Sequence, residues 1–450
     1  MNTQRISAWS QISLEAEYAK KMGISDDSGT VLSSGRPSDS DIGQTERTAV
    51  ISHSDTAMVL FIAGLFSLAA FSIDLYLPSF AAIREGLHAE DGQVQLTLSV
   101  FFLGFGFGQL IFGPMADQLG RRQALLIGIG VYVLASVLCA VAPSVELLIV
   151  ARGLQAVGGC SCSVVGRAII RDLYKGDQAS RVFSFSIMFF TAVPLIAPMF
   201  GAYLLESLGW RSNFWFLAIL GILYLVLVVV LLKETLPRSQ RKSISVKAHI
   251  GSYFLLLRQI KIVRYVLSIG LVFAGFSVFL SNSPLLFHDY YHMNPKLYAG
   301  CFALIVGGLL LSCFFNAAFV KIFGHRALFA ASIKIAAASS GLLILCVLTS
   351  NTALPLLVLL ISGYAISLQL VAANGMAGLL SASASQAGTV SAVLGFFQFL
   401  ASAAFSAVVS FAYVGTPVAM ATGMAIGGLG SLLAYLLIRP KFEGKKEPDN

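Results

Sequence analysis

The chain has 450 residues, 57% of them hydrophobic and only 12% charged, with a mean hydropathy of +0.81. So little charge excludes a soluble multidomain protein, whose composition typically holds about twice that share. The net charge of +8 would suit nucleic acid in a soluble protein, but the basic residues gather in short loops between apolar runs, and no nucleic-acid partner is expected.

Residues 1–55 are rich in Ser, Asp, Gly and Gln and poor in large apolar side chains. Such a segment cannot bury enough surface to offset its ordering entropy, and it lacks the basic-then-apolar pattern of a signal peptide. A disordered cytoplasmic tail is expected, with room for a short helix at 13–22. Apolar runs long enough to cross a bilayer core of about 30 Å then recur. Lipid offers no partner to a free backbone group, so each must be a helix. They fall at 56–80, 94–116, 123–142, 146–169, 180–205 and 213–232, then at 261–287, 298–320, 327–349, 353–374, 387–411 and 417–438. The polar, basic stretch 233–260 divides them into an N-terminal six-helix bundle (56–232) and a C-terminal one (261–438), and 439–450 forms a second tail. The expected fold is an all-α integral membrane protein of twelve transmembrane helices in two bundles, a layout of transporters that rock around a mid-membrane site.

Charge tests this count. With the N-terminus in the cytoplasm, the inner loops and the C-terminal tail carry twenty Lys/Arg, against Arg84, Arg211 and Lys296 in the outer loops. The asymmetry predicts that both termini are cytoplasmic. The six cysteines all lie in apolar runs and read as small buried apolar residues. The six histidines form no HExxH-type pair. Neither a metal site nor a cofactor is expected.

In the tight loop after span two stands Gly113-Pro114-Met115-Ala116-Asp117-Gln118-Leu119-Gly120-Arg121-Arg122. Gly113 and Gly120 would permit close helix approach and a sharp turn. Asp117 faces Arg121 and Arg122, a charge cluster able to latch one conformation and release in another. This loop resembles the signature of the major facilitator superfamily, Gly-x-x-x-Asp-Arg-x-Gly-Arg-Arg/Lys, with Gln118 in place of its usual arginine. Gly324-His325-Arg326 is a degenerate counterpart in the second half. Arg152-Gly153-Leu154-Gln155-Ala156-Val157-Gly158 resembles another motif of that superfamily. Pro194-Leu195-Ile196-Ala197-Pro198-Met199-Phe200-Gly201 resembles its antiporter motif, in which Pro194, Pro198 and Gly201 would let helices bend and pack closely at a moving interface. Three further stretches are similar to the drug/proton antiporters of the bicyclomycin and chloramphenicol resistance (Bcr/CflA) type. They are Asp74-Leu75-Tyr76-Leu77-Pro78, Gly209-Trp210-Arg211-Ser212-Asn213-Phe214 and Ala387-Gly388-Thr389-Val390-Ser391-Ala392-Val393-Leu394-Gly395.

Asp74 and Arg152 sit inside apolar runs, where an isolated charge costs several kcal/mol. Each lies six residues from its span's outer end, about 9 Å deep at 1.5 Å per residue, a depth that permits contact. They are expected to handle the coupling proton; the alternative is a structural ion pair. Lys334 is expected to reach the headgroups along its own stem. Tyr76, Asn282, Gln369, Asn374 and Gln398 are candidate polar groups of an otherwise apolar substrate cavity, each equally able to bond helix to helix. An intramembrane enzyme would need paired catalytic groups, which the spans lack, so no enzyme is expected. The resemblance implies proton-coupled efflux of drugs or other amphipathic molecules across the bacterial inner membrane, by a monomer whose partners are substrate, protons and bilayer. A proton-coupled carrier of a specific metabolite (a nucleoside, sugar, amino acid or siderophore) is the alternative.

Overall fold

A computed structural model describes residues 53–241, 251, 255–350, 352–382 and 387–438. The two tails and most of the loop at 242–254 lie outside the described residues, as does the helix expected at 13–22. The described chain is helical from end to end, and eleven of its helices are long and apolar enough to cross a membrane.

Helix α1 (His53–Asp74) stops at Asp74 and gives way to a 3-10 turn, Leu77–Ser79, before α2 (Phe80–Gly86) resumes. Pro78 explains the break. It has no N–H to give to the carbonyl of Asp74, four residues earlier, and its ring crowds that carbonyl. The helical path therefore runs on to Gly86, beyond the limit expected at residue 80. Next come α3 (Asp91–Leu119), α4 (Arg121–Val141), α5 (Val145–Leu173), α6 (Gly176–Leu208) and α7 (Arg211–Leu231). Glu90 and Gln93 cap α3 reciprocally, and Ser144 accepts from Leu147 N–H at the start of α5.

The second half holds α8 (Ile260–Leu285), which passes into a π turn at Leu286–Tyr290, then α9 (Pro295–Leu348), α10 (Leu354–Ala382), α11 (Ala387–Phe411) and α12 (Pro417–Leu437). At 54 residues, α9 would be about 81 Å long, far more than one bilayer crossing. It is two spans joined at Gly324, whose φ of 73° and ψ of 157° are not helical. Gly120, between α3 and α4, has nearly the same geometry at 100° and 162°. The degenerate motif thus keeps its turn glycine, and eleven long helices amount to the twelve spans expected.

Buried side chains run through both halves, while leucines, valines and phenylalanines stay exposed on the outside of the helices, as lipid contact requires. α3 packs against α5 and α11, and α6 against α9. Phe105 and Phe399 meet at 4.6 Å between ring centroids, linking the two halves. The cysteines are free. Cys139, Cys160 and Cys162 are buried as expected, but Cys301, Cys313 and Cys346 are only half-buried, because α9 turns much of its surface outward.

Candidate functional site

Arg152 is fully buried, and it does not meet Asp74. Its guanidinium donates to Gln155 Oε1 at 2.5 Å and to the Ser72 carbonyl at 2.9 Å. It lies 4.1 Å from the ring centroid of Tyr76 and 4.3 Å from that of Phe101, contacts worth about 2 kcal/mol when desolvated. Gln155 passes a hydrogen bond on to Ser136 at 2.8 Å, and Ser72 bonds Tyr132 at 2.8 Å. The charge is thus held by a carbonyl, an amide and aromatic faces. Ser72 and Tyr76 are one helical turn apart and share the side facing α5; Asp74, two residues on, points elsewhere. Arg152 and Asp74 do share a depth, since the guanidinium touches Ser72 and Tyr76 on either side of Asp74. The contact that equal depth permits is not made, because the two side chains differ in azimuth.

Asp74 is buried, and its carboxyl has no hydrogen bond or ion pair among the described residues. The turn that follows it, Leu77–Ser79, packs against α8 and α9 of the second half. Close by, α6 crosses the break in α1. A Cβ added at Gly201 would collide with the Leu75 carbonyl oxygen, so glycine lets the proline-bearing helix (Pro194, Pro198) approach the backbone beside Asp74.

The two ends of the bundle differ. At the end opposite the 233–241 segment, ion pairs tie the halves. Arg84 donates to Asp91 at 2.8 Å and to both oxygens of Asp289 at 2.8 and 3.2 Å. Lys296 meets Glu206 at 2.7 Å. Replacing Arg84 by Ala should loosen this end by about 1 kcal/mol, about fivefold in population. Amide exchange across 286–290 should rise accordingly, and unchanged exchange would show the pairs are idle.

At the other end the halves part around a cavity of about 480 Å³, whose lining includes Gln109, Asp117, Arg121, Arg167, Arg171 and Thr389. A second hollow of about 490 Å³ shares Asp117, Arg121 and Arg171 and extends to Arg241. The loop motif forms the rim. Arg121 is buried, bonded to Asp117 at 2.5 Å and Asp172 at 2.9 Å, while its N–H donates to Glu234 at 2.8 Å. Arg122 instead donates to the Val229 carbonyl at 2.9 Å, so Asp117 pairs with one arginine rather than two. A side chain at Gly120, with its positive φ, would collide with Glu234. A Cβ at Gly113 meets nothing within 4 Å; it borders the cavity, and the close approach expected there is absent.

None of the five candidate substrate groups lines this cavity. Tyr76 is buried over Arg152 and bonds Thr97 at 3.1 Å. Asn282 is buried and bonds the Val278 carbonyl at 3.0 Å. Asn374 holds Asn316 at 2.6 Å, and Gln369 reaches Cys313 Sγ at 3.5 Å. Gln398 is half-buried on α11. Most of them serve helix packing, since a buried amide is retained where it finds a partner. Lys334 is exposed on the outer face of α9. Arg167 and Gln109 were not anticipated, although a charge within the apolar run 146–169 was the signal for Arg167.

The chain's relatives agree with this architecture. A family model described as Major Facilitator Superfamily matches residues 60–406. The chain is 31% identical over 346 residues to an uncharacterized MFS-type transporter, YdgK, of Bacillus subtilis, covering 76% of this chain and 86% of that one. It is 27% identical to a bicyclomycin resistance protein homolog of Haemophilus influenzae, over 84% of this chain and 95% of the other. Among solved structures, the xylose transporter XylE from E. coli, in a partially occluded inward open conformation, superposes with a TM-score of 0.67 at 15% identity, over 87% of this chain and 99% of that one. The chain is a multi-pass membrane transporter of small molecules, not an enzyme, and it belongs to the Major Facilitator Superfamily.

Proposed function

We propose that the chain exports amphipathic small molecules, drugs among them, across a bacterial inner membrane in exchange for protons. Asp74 carries the proton, and the 233–241 end faces the cytoplasm. The observation behind this is the setting of Asp74, a buried carboxyl without a counter-ion among the described residues, next to the second half. Such a group can gain and lose a proton without breaking an ion pair. The halves are clasped at one end and parted at the other, as one state of an alternating cycle would be. Protonation of Asp74 would remove a charge between the halves and bias which end opens. Arg152 is a fixed strut in this scheme, because moving it would strip its contacts with Tyr76, Phe101 and Phe214 and two hydrogen bonds. The name of the Haemophilus influenzae relative supports antibiotics as one class of cargo.

The test is a susceptibility panel on a strain overproducing the protein, with and without a protonophore. Raised tolerance to at least one amphipathic compound, abolished by the protonophore, is the expected result. Unchanged tolerance across the panel would remove the drug-export reading.

A further inference from the structure

The cavity at the 233–241 end carries a net positive charge that no carboxylate among the described residues neutralises. Arg167 and Arg171 are four residues apart on α5 and so share one face; both line the cavity. Arg167 is half-buried, and the hydrogen bond it donates to Gln109 Oε1, at 3.1 Å, is to a neutral amide. Arg171 stands at the gap between the halves, its Nη1 3.8 Å from where a Cβ on Gly388 would lie. Among the described residues neither arginine has a carboxylate partner. The one carboxylate lining the cavity, Asp117, is bound by Arg121. Arg121 also meets Asp172, so that cluster holds one carboxylate more than its arginine. Asp172 is not among the lining residues, however, and Arg167 and Arg171 add two positive charges that keep the lining net positive.

Arg167 is half-buried and Arg171 exposed, and a partly buried guanidinium without a counter-ion gains when an anion meets it. Planar and always charged, it fits a carboxylate or phosphate through paired N–H groups. Around it the lining is largely apolar, from Pro114, Val164, Ala168, Leu380 and Ala392. We infer that this cavity selects an amphipathic organic anion, with a carboxylate or phosphate headgroup held between Arg167 and Arg171 and an apolar body against the rest of the wall. This rests on the export reading, and it narrows the cargo from amphipathic molecules in general to those with a negative headgroup. Arg167 is the specificity residue, and Gln109 positions it.

The experiment uses the full chain in phosphatidylcholine nanodiscs and a matched pair of fluorescent probes, anionic dansylglycine and neutral dansylglycinamide. Binding is read without any proton gradient, so failure of proton coupling would leave the result untouched. Dansylglycine should bind about tenfold more tightly, the size of one charge-assisted hydrogen bond. Arg167→Gln should erase most of that preference while dansylglycinamide still binds, which shows the cavity intact; Arg167→Lys should restore part of it. Discs containing phosphatidylglycerol separate two sources of the same headgroup chemistry. Unchanged dansylglycine binding there assigns the cavity to a solute, and competitive loss assigns it to an anionic lipid. Equal affinity for the two probes, or a preference that survives in Arg167→Gln combined with Arg171→Gln, would overturn the inference.

Discussion

Exchange of Asp74 for Asn is expected to uncouple transport without unfolding the protein. The amide has the shape of a protonated carboxyl, and the native side chain has no hydrogen bond or ion pair to lose among the described residues. Stability should therefore stay within about 1 kcal/mol of wild type. Coupling free energies between two ligands run at about 1–3 kcal/mol, about 5–150-fold. Reconstituted Asp74→Asn should accordingly lose at least about tenfold in gradient-driven accumulation, while exchange of labelled for unlabelled substrate continues. Loss of both activities with normal folding would mean that Asp74 binds substrate rather than the proton. Arg152→Lys makes a useful contrast. Lysine keeps the charge but lacks the planar fork that meets Gln155 and the Ser72 carbonyl together, so it should lower the melting temperature rather than the coupling.

The second large effect concerns Gly201. Within a helix, replacing glycine by alanine normally gains about 1 kcal/mol. Here the sign should reverse. The added Cβ would run into the Leu75 carbonyl oxygen, which is backbone and cannot swing away. Overpacking of this kind costs about 1–3 kcal/mol, and relief would push α6 off the break beside Asp74. Thermal unfolding in detergent should show Gly201→Ala below wild type, with transport lost as well. Gly113→Ala is the control. Its Cβ would enter open space, so it should unfold at or slightly above the wild-type temperature. Equal behaviour of the two variants would mean that the α1–α6 contact does not matter.

How much of this was legible in the sequence differs by level. The helices and their number were, because each hydrocarbon crossing needs an apolar run and loops must hold the charge. Even the fusion of two spans into α9 hid nothing, since Gly324 marks the turn. The break at Asp74 was readable from Pro78, four residues on. What depth could not supply was azimuth. Two charges inside neighbouring spans invite pairing, yet a shift of two residues along α1 turns Asp74 away from Arg152. Nor does an isolated sequence show that Tyr76 and Phe101 stack on that arginine. The amides at Gln369 and Asn374 looked like cargo contacts, but each bonds a neighbouring helix, as polar side chains in oil do, while Asn282 bonds within its own helix. The cavity itself arises where α3 and α5 face α10 and α11, residues far apart in sequence, and no periodicity predicts which of them stay uncovered.

The export account turns on whether cargo and proton compete through one carboxyl. The direct measurement adds a transported compound to purified protein in weakly buffered detergent solution and follows a pH indicator. Wild type should acidify the solution as the compound binds, and Asp74→Asn should leave it unchanged although it still binds the compound. Acidification by the Asn variant equal to that of wild type would contradict the account and place the exchanged proton on some other group.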